Sequence, residues 1–128
     1  MILNEAYNIP FGFEPKFIID GGGNIGLTAC FFASKFPAAA IITIEPDTDN
    51  YNLLQLNCKA YANIQTLQCG IWKNDTHLKI ENTHAGNNAF TVIETKEAGA
   101  DTIKALTVLS VMQQFNMPHI DVLKLDIE

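Results

Sequence analysis

Along this chain the apolar positions come in short blocks whose period switches between that of a strand and that of a helix. Phe17-Ile18-Ile19 is a continuous apolar run stopped by Asp20 and three glycines, as a strand buried on both faces should be. From residue 24 to 36, apolar side chains return at Ile25, Ala29, Phe32, Ala33 and Phe36. Leu27, Cys30 and Phe31 widen this stripe and Pro37 ends it, which predicts a helix packed on a sheet. Residues 41–44 are a second, β-branched strand closed by Glu45-Pro46. Asp47 or Thr48 can then cap a helix running through Leu53, Leu54 and Leu56 to about Lys59. Residues 64–69 predict a third strand.

The alternation then breaks. Residues 78–80 and 90–93 predict two strands around the turn-prone Ala85-Gly86-Asn87-Asn88, a hairpin inserted at the rim of the sheet. A short strand at 105–108, a helix at 110–115 ended by Asn116 and Pro118, and a strand at 121–125 complete the chain. Strands alternating with helices define an α/β class with right-handed crossovers and a doubly wound, mainly parallel, Rossmann-like sheet. Ligands of such sheets bind beyond the strand C-termini, which directs attention to Asp20, Glu45, Cys69-Gly70 and Asp126. Residues 1–16 read as an irregular lead-in, and 17–128 as one domain.

Composition narrows the chemistry. The 128 residues include 8 basic side chains, all lysine, against 14 acidic ones, a formal charge of −6. An acidic surface without arginine is unsuited to neutralising phosphates, so neither nucleic acid nor an anionic membrane is an expected partner. No apolar stretch approaches the ~18 residues of a membrane span, and the N-terminus has no basic region before an apolar run. Cys30, Cys58 and Cys69 are too widely spaced for a zinc site and read as reduced, mostly buried thiols of a cytoplasmic protein. His77, His84 and His119 share no metal-ligand spacing, so no metal is expected.

The sharpest local signal is Asp20-Gly21-Gly22-Gly23-Asn24-Ile25-Gly26, between the first strand and the first helix. As Gly21-x-Gly23-x-x-Gly26 with Glu45 about twenty residues on, it fits a dinucleotide loop, with a pyrophosphate on the helix N-terminus and ribose hydroxyls on Glu45. As Asp-x-Gly-x-Asn-x-Gly it resembles the first motif of class I S-adenosylmethionine (SAM) methyltransferases. A carboxylate at the loop mouth repels a pyrophosphate but accepts hydrogen bonds from an ammonium group, so Asp20 favours SAM. A plain strand-to-helix turn is the bland alternative. Glycines allow close backbone approach to a cofactor, at Gly23 with a positive φ, and Gly26 allows the helix to pack on the strand. Glu45 could instead serve only as an acid ahead of a helix N-terminus. Gly70-Ile71-Trp72 follows the third strand, where an adenine would lie, although Trp72 fits a core position equally well. In the last segment Lys124, Asp126 and Glu128 share one face of a strand, and Lys124 with Asp126 could simply neutralise each other.

Four blocks taken together are similar to the FkbM family of SAM-dependent methyltransferases. They are Phe17 through Gly26, Ile44-Glu45-Pro46-Asp47 with Asn50 and Leu53-Leu54, Gln68-Cys69-Gly70-Ile71-Trp72, and Ile120 through Glu128, in family order. The resemblance implies a class I methyltransferase fold, SAM as donor, and O-methylation of a hydroxyl on a sugar or secondary metabolite. By position, Asp20, Gly21, Gly23, Asn24 and Gly26 would hold the methionine end, Glu45 and Pro46 the ribose, and Gly70, Ile71 and Trp72 the adenine side. Asp126 would lie near the sulfonium and the acceptor, with Asp126 or Glu128 as a base. Two departures stand out. Ser110 occupies a place where many members carry Asp, and the family motif normally continues beyond Glu128. The chain therefore reads as the N-terminal portion of such a domain, ending after the fourth central strand. That strand would leave an unpaired edge through which copies could associate, and the chain alone would be inactive. A NAD-dependent oxidoreductase and a non-catalytic SAM- or nucleotide-binding fragment are the competing readings.

Overall fold

The computed structural model describes residues 2–3, 12–82, 90–99 and 101–126. Its first sheet has five parallel strands in the order β1 (Ile2–Leu3), β9 (Val122–Leu125), β2 (Phe17–Gly21), β3 (Ala40–Ile44) and β4 (Ile64–Leu67). Register explains the sequence blocks. Ile18, Ile41 and Val122 stand side by side on one face, and Ile19, Ile42 and Leu123 on the other. The first row packs under α1 (Leu27–Lys35) and α2 (Thr48–Cys58) with Ala29, Phe32 and Leu54. The second packs with Val111 of α3 (Val108–Gln114) and with Met117. Burial on both faces is why β2 and β3 read as largely apolar runs, and why β9 is apolar except at Lys124.

A second sheet was not foreseen. It runs in the order β5 (Gly70–Ile71), β8 (Thr102–Leu106), β6 (Thr76–Asn82) and β7 (Phe90–Thr95). The hairpin is present as the antiparallel β6–β7 pair, but β6 also pairs antiparallel with β8, and β8 pairs parallel with β5. The hairpin is thus part of a separate sheet and not a rim of the first, and its turn at 85–88 lies outside the described residues. The strand expected at 105–108 begins earlier, because Thr107 is the N-cap of α3 and its hydroxyl accepts from Ser110 N–H.

Two further boundaries moved. The first helix starts at Leu27, not Asn24, because Asn24 (φ +54°) and Gly26 (φ +95°) are left-handed. The lead-in is not wholly irregular, since Ile2 and Leu3 pair with Leu123 and Lys124, so that the expected bare edge of β9 is covered at those two residues. Among the described residues no helix is long and apolar enough to cross a membrane.

Candidate functional site

The loop after β2 is built by hydrogen bonds to the neighbouring strand. Gly22 and Gly23 N–H both donate to Ile44 C=O, at 2.9 and 2.8 Å, and Gly26 N–H donates to Gly23 C=O at 2.9 Å. Gly22 is left-handed at φ +83°, and a Cβ there would stand 2.2 Å from the Asp126 carbonyl oxygen. Only glycine fits where the loop after β2 passes the end of β9. Gly23 differs from expectation. Its φ is not left-handed, and a Cβ would meet Thr43 Oγ1 at 2.2 Å and Leu54 Cδ1 at 2.8 Å. Its missing side chain therefore makes room for the chain's own core. Gly26 likewise abuts α2, with an added Cβ 3.0 Å from Cys58 Sγ, and not the strand.

Asp20 is not at the loop mouth. Its side chain is fully buried, Oδ1 accepts from Lys124 Nζ at 3.1 Å and Oδ2 from Thr43 Oγ1 at 2.9 Å. The three residues stand at one register across β9, β2 and β3, two residues beyond the Ile18–Ile41–Val122 row and on the same face. Lys124 therefore neutralises Asp20, and the pairing of Lys124 with Asp126 weighed from the sequence does not form. A buried pair of this kind is tolerable only when both charges are met by close partners.

Glu45 is 7% exposed at the end of β3. Its Oε1 accepts from Asn24 N–H at 2.8 Å and its Oε2 from Asp47 N–H at 2.9 Å. Asp47 in turn caps α2, its carboxylate accepting from Asn50 N–H. One carboxylate thus ties the glycine loop to the start of α2 while keeping a lone pair on each oxygen. Both the ligand role and the helix-end role expected for Glu45 are compatible with this geometry.

Between the two sheets, beyond the C-termini of β2, β3 and β9, lies a cavity of about 180 Å³. Gly21, Gly22 and Asp126 form one wall, and Pro46 with Gly70, Ile71 and Trp72 another. Cys69 lines its inner end, its thiol pushed up to about 11 by burial and so neutral. Leu78, Val92 and Ile103 of the second sheet complete the lining, a contribution the sequence reading missed. Apolar alternation in the hairpin was the available signal. Pockets for whole ligands run roughly 300–1,000 Å³, so this one suits a nucleobase-sized part. Trp72 is fixed at its edge: backbone N–H donates to Leu106 C=O, and Nε1–H donates to Glu94 at 2.5 Å. Hydrogen bonds from Asn74 and Trp72 hold the Glu94 carboxyl below the usual range.

Asp126 is exposed on the cavity wall, and its N–H donates to Gly21 C=O at 2.9 Å. Glu128 and His84 lie outside the described residues. Ser110 Oγ donates to Asp75 at 2.5 Å and that bond, with Thr107 N–H, lowers the Asp75 pKa, a tie between α3 and the β5–β6 turn. Among the described residues no group of His, Cys, Asp and Glu could hold a metal.

A glycine loop between a central strand and a helix, an acidic strand end beside it and a crevice above a parallel sheet define a class I methyltransferase-like α/β domain. The profile of the Methyltransferase FkbM domain matches residues 20–128, and the chain belongs to that family. A solved FkbM methyltransferase from Methylobacillus flagellatus KT superposes with a TM-score of 0.62 at 19% identity, over 90% of this chain and 26% of its own. Methyltransferase 1 of Beauveria bassiana is 29% identical over 83 residues, 62% of this chain and 33% of the relative. Methyltransferase sdnD of Sordaria araneosa is 38% identical over 70 residues, 52% of this chain and 26% of the relative. The chain matches about a third or less of each relative's length.

Proposed function

We propose that this chain carries the cofactor-binding part of a SAM-dependent methyltransferase acting on a hydroxyl of a small molecule, such as a sugar or secondary metabolite, in the cytoplasm. The observation that carries the proposal is the crevice lined by Gly21, Gly22, Pro46 and the Gly70–Trp72 wall, with Glu45 just behind Pro46 tied to the glycine loop through Asn24, in a chain of the FkbM methyltransferase family.

The residues present fit such a cofactor. Glycines keep the floor open, Glu45 has acceptor capacity for two ribose hydroxyls, and Ile71 with Trp72 gives an apolar wall for a purine. SAM, when bound, supplies a methyl group activated by positive sulfur. The chain's share is positioning, which supplies much of the rate of an in-line displacement. Asp20 acts indirectly in this reading, since both its oxygens are occupied within the core. The exposed carboxylate of Asp126 is the group on the cavity wall able to take the hydroxyl proton.

Because Lys124 neutralises Asp20, charge at the loop no longer argues against a pyrophosphate, and NAD is the ligand to test in competition. Isothermal titration with SAM and with NAD is the experiment. SAM should bind and NAD should not, and Glu45→Ala should weaken SAM by about 1–3 kcal/mol, the scale for a lost charged hydrogen-bond partner. NAD binding without SAM binding, or an unchanged SAM affinity in folded Glu45→Ala, overturns the proposal.

A further inference from the structure

Two thiols meet behind the glycine loop. Cys30, in the first turn of α1, and Cys58, the last residue of α2, have their sulfurs 4.0 Å apart. Both converge on one acceptor, the carbonyl of Gly26 at the N-cap of α1: Cys30 donates to it through its backbone N–H at 3.0 Å, Cys58 through its thiol at 3.9 Å. The neighbouring Asn57 Nδ2 donates to Ile25 C=O at 2.7 Å. The end of α2 is therefore the support of the loop's last two residues. We propose that Cys30 and Cys58 form a reversible disulfide in the presence of a low-molecular-weight disulfide, and that this bond pulls Cys58 off Gly26 and loosens the glycine loop.

The chemistry closes with glutathione disulfide as oxidant. The Cys30 thiolate attacks one glutathione sulfur, the S–S bond breaks, and one glutathione leaves as a thiolate that takes up a proton. Cys58 then loses its proton to solvent, and its thiolate attacks the Cys30 sulfur and expels the second glutathione. Two protein thiols are oxidised to one disulfide and one glutathione disulfide is reduced to two thiols. The order of attack follows burial. Cys30 is half-buried, whereas Cys58 is buried and its thiol is pushed up to about 12, first by that burial and then by Cys30 beside it. The bond itself requires the sulfurs to close from 4.0 Å to ~2.05 Å. A disulfide sulfur carries no hydrogen, so forming the bond removes the Cys58 thiol's donation to the Gly26 carbonyl.

The loop's link to cofactor affinity rests on the methyltransferase reading, so the test uses two separate readouts. The chain is incubated in glutathione buffers of increasing oxidised fraction, mapped for disulfides by mass spectrometry, and followed by amide exchange at residues 22–26. SAM affinity is titrated in parallel. The expected result is a Cys30–Cys58 disulfide, faster exchange at the loop, and SAM binding weakened on the order of tenfold, all reversed by dithiothreitol. Cys30→Ser and Cys58→Ser should each remove the response. Stable glutathionylation of Cys30 without the internal bond, or a disulfide that leaves loop exchange unchanged, overturns the proposal. A reduced chain that shows loop loosening on oxidation yet never binds SAM would instead refute the proposed function and leave the thiol chemistry standing.

Discussion

Lys124 reaches across from β9 to Asp20 on β2, and its ammonium is the counter-charge of a carboxylate with no solvent exposure. Removing only one member strands the other, which costs about 3–5 kcal/mol in buried pairs. Lys124→Met should therefore lower stability by about that amount in urea unfolding, and adding Asp20→Asn should restore part of it, because no buried charge is left uncompensated. Strictly additive losses would show that the two groups are not coupled. Nothing in the sequence announced this pair. The glycine loop and Glu45 were legible because they lie at strand ends defined by local pattern, but Asp20 and Lys124 are 104 positions apart and meet only through the register of two parallel strands. Gly23 was misread for the same reason: its neighbours Thr43 and Leu54 come from β3 and α2, and local sequence shows the need for glycine without showing what excludes a side chain.

Thr107, the cap of α3, reads from the sequence as part of the preceding strand, but four strands of the first sheet were readable because burial on both faces leaves largely apolar runs, and α2 because Asp47 caps it. The second sheet was not, since β5 is two residues long and its partner β8 lies more than thirty residues away. How β2 and β9 enter the sheet together gives a pH prediction. Asp121, just before β9, accepts from Lys16 and Phe17 N–H at 2.8 and 3.0 Å, and its own N–H donates to Phe17 C=O. Those bonds, chiefly that from Lys16, with His119 adding a smaller share, hold its carboxyl below the usual range. A depressed folded pKa contributes stability that is present above the unfolded value near ~3.9 and is lost as pH falls through the folded value. Asp121→Asn should thus be less stable at neutral pH and lose less on acidification. Parallel stability curves for both proteins from pH 6 to pH 2 would remove the assignment.

At the scale of the whole molecule, the crevice depends on β9 keeping its place, because Asp126 and Gly22 are in contact where β9 leaves the sheet. β9 is held on one side by four register pairs with β2 and on the other by two with β1. Without β1, the backbone of Leu123 and Lys124 would become an open parallel edge next to a buried ion pair, a template for another copy of the chain. Deleting residues 1–3 should lower the urea midpoint, since edge pairing and its shielding of the sheet are lost, and should raise the apparent mass in sedimentation as concentration increases. The same deletion with Leu125→Lys, which places a charge at the exposed end of the strand, should suppress the association while leaving the loss of stability in place. An intact midpoint and a monomer at every concentration would mean that the two-residue strand contributes nothing, and that β9 is held by β2 alone.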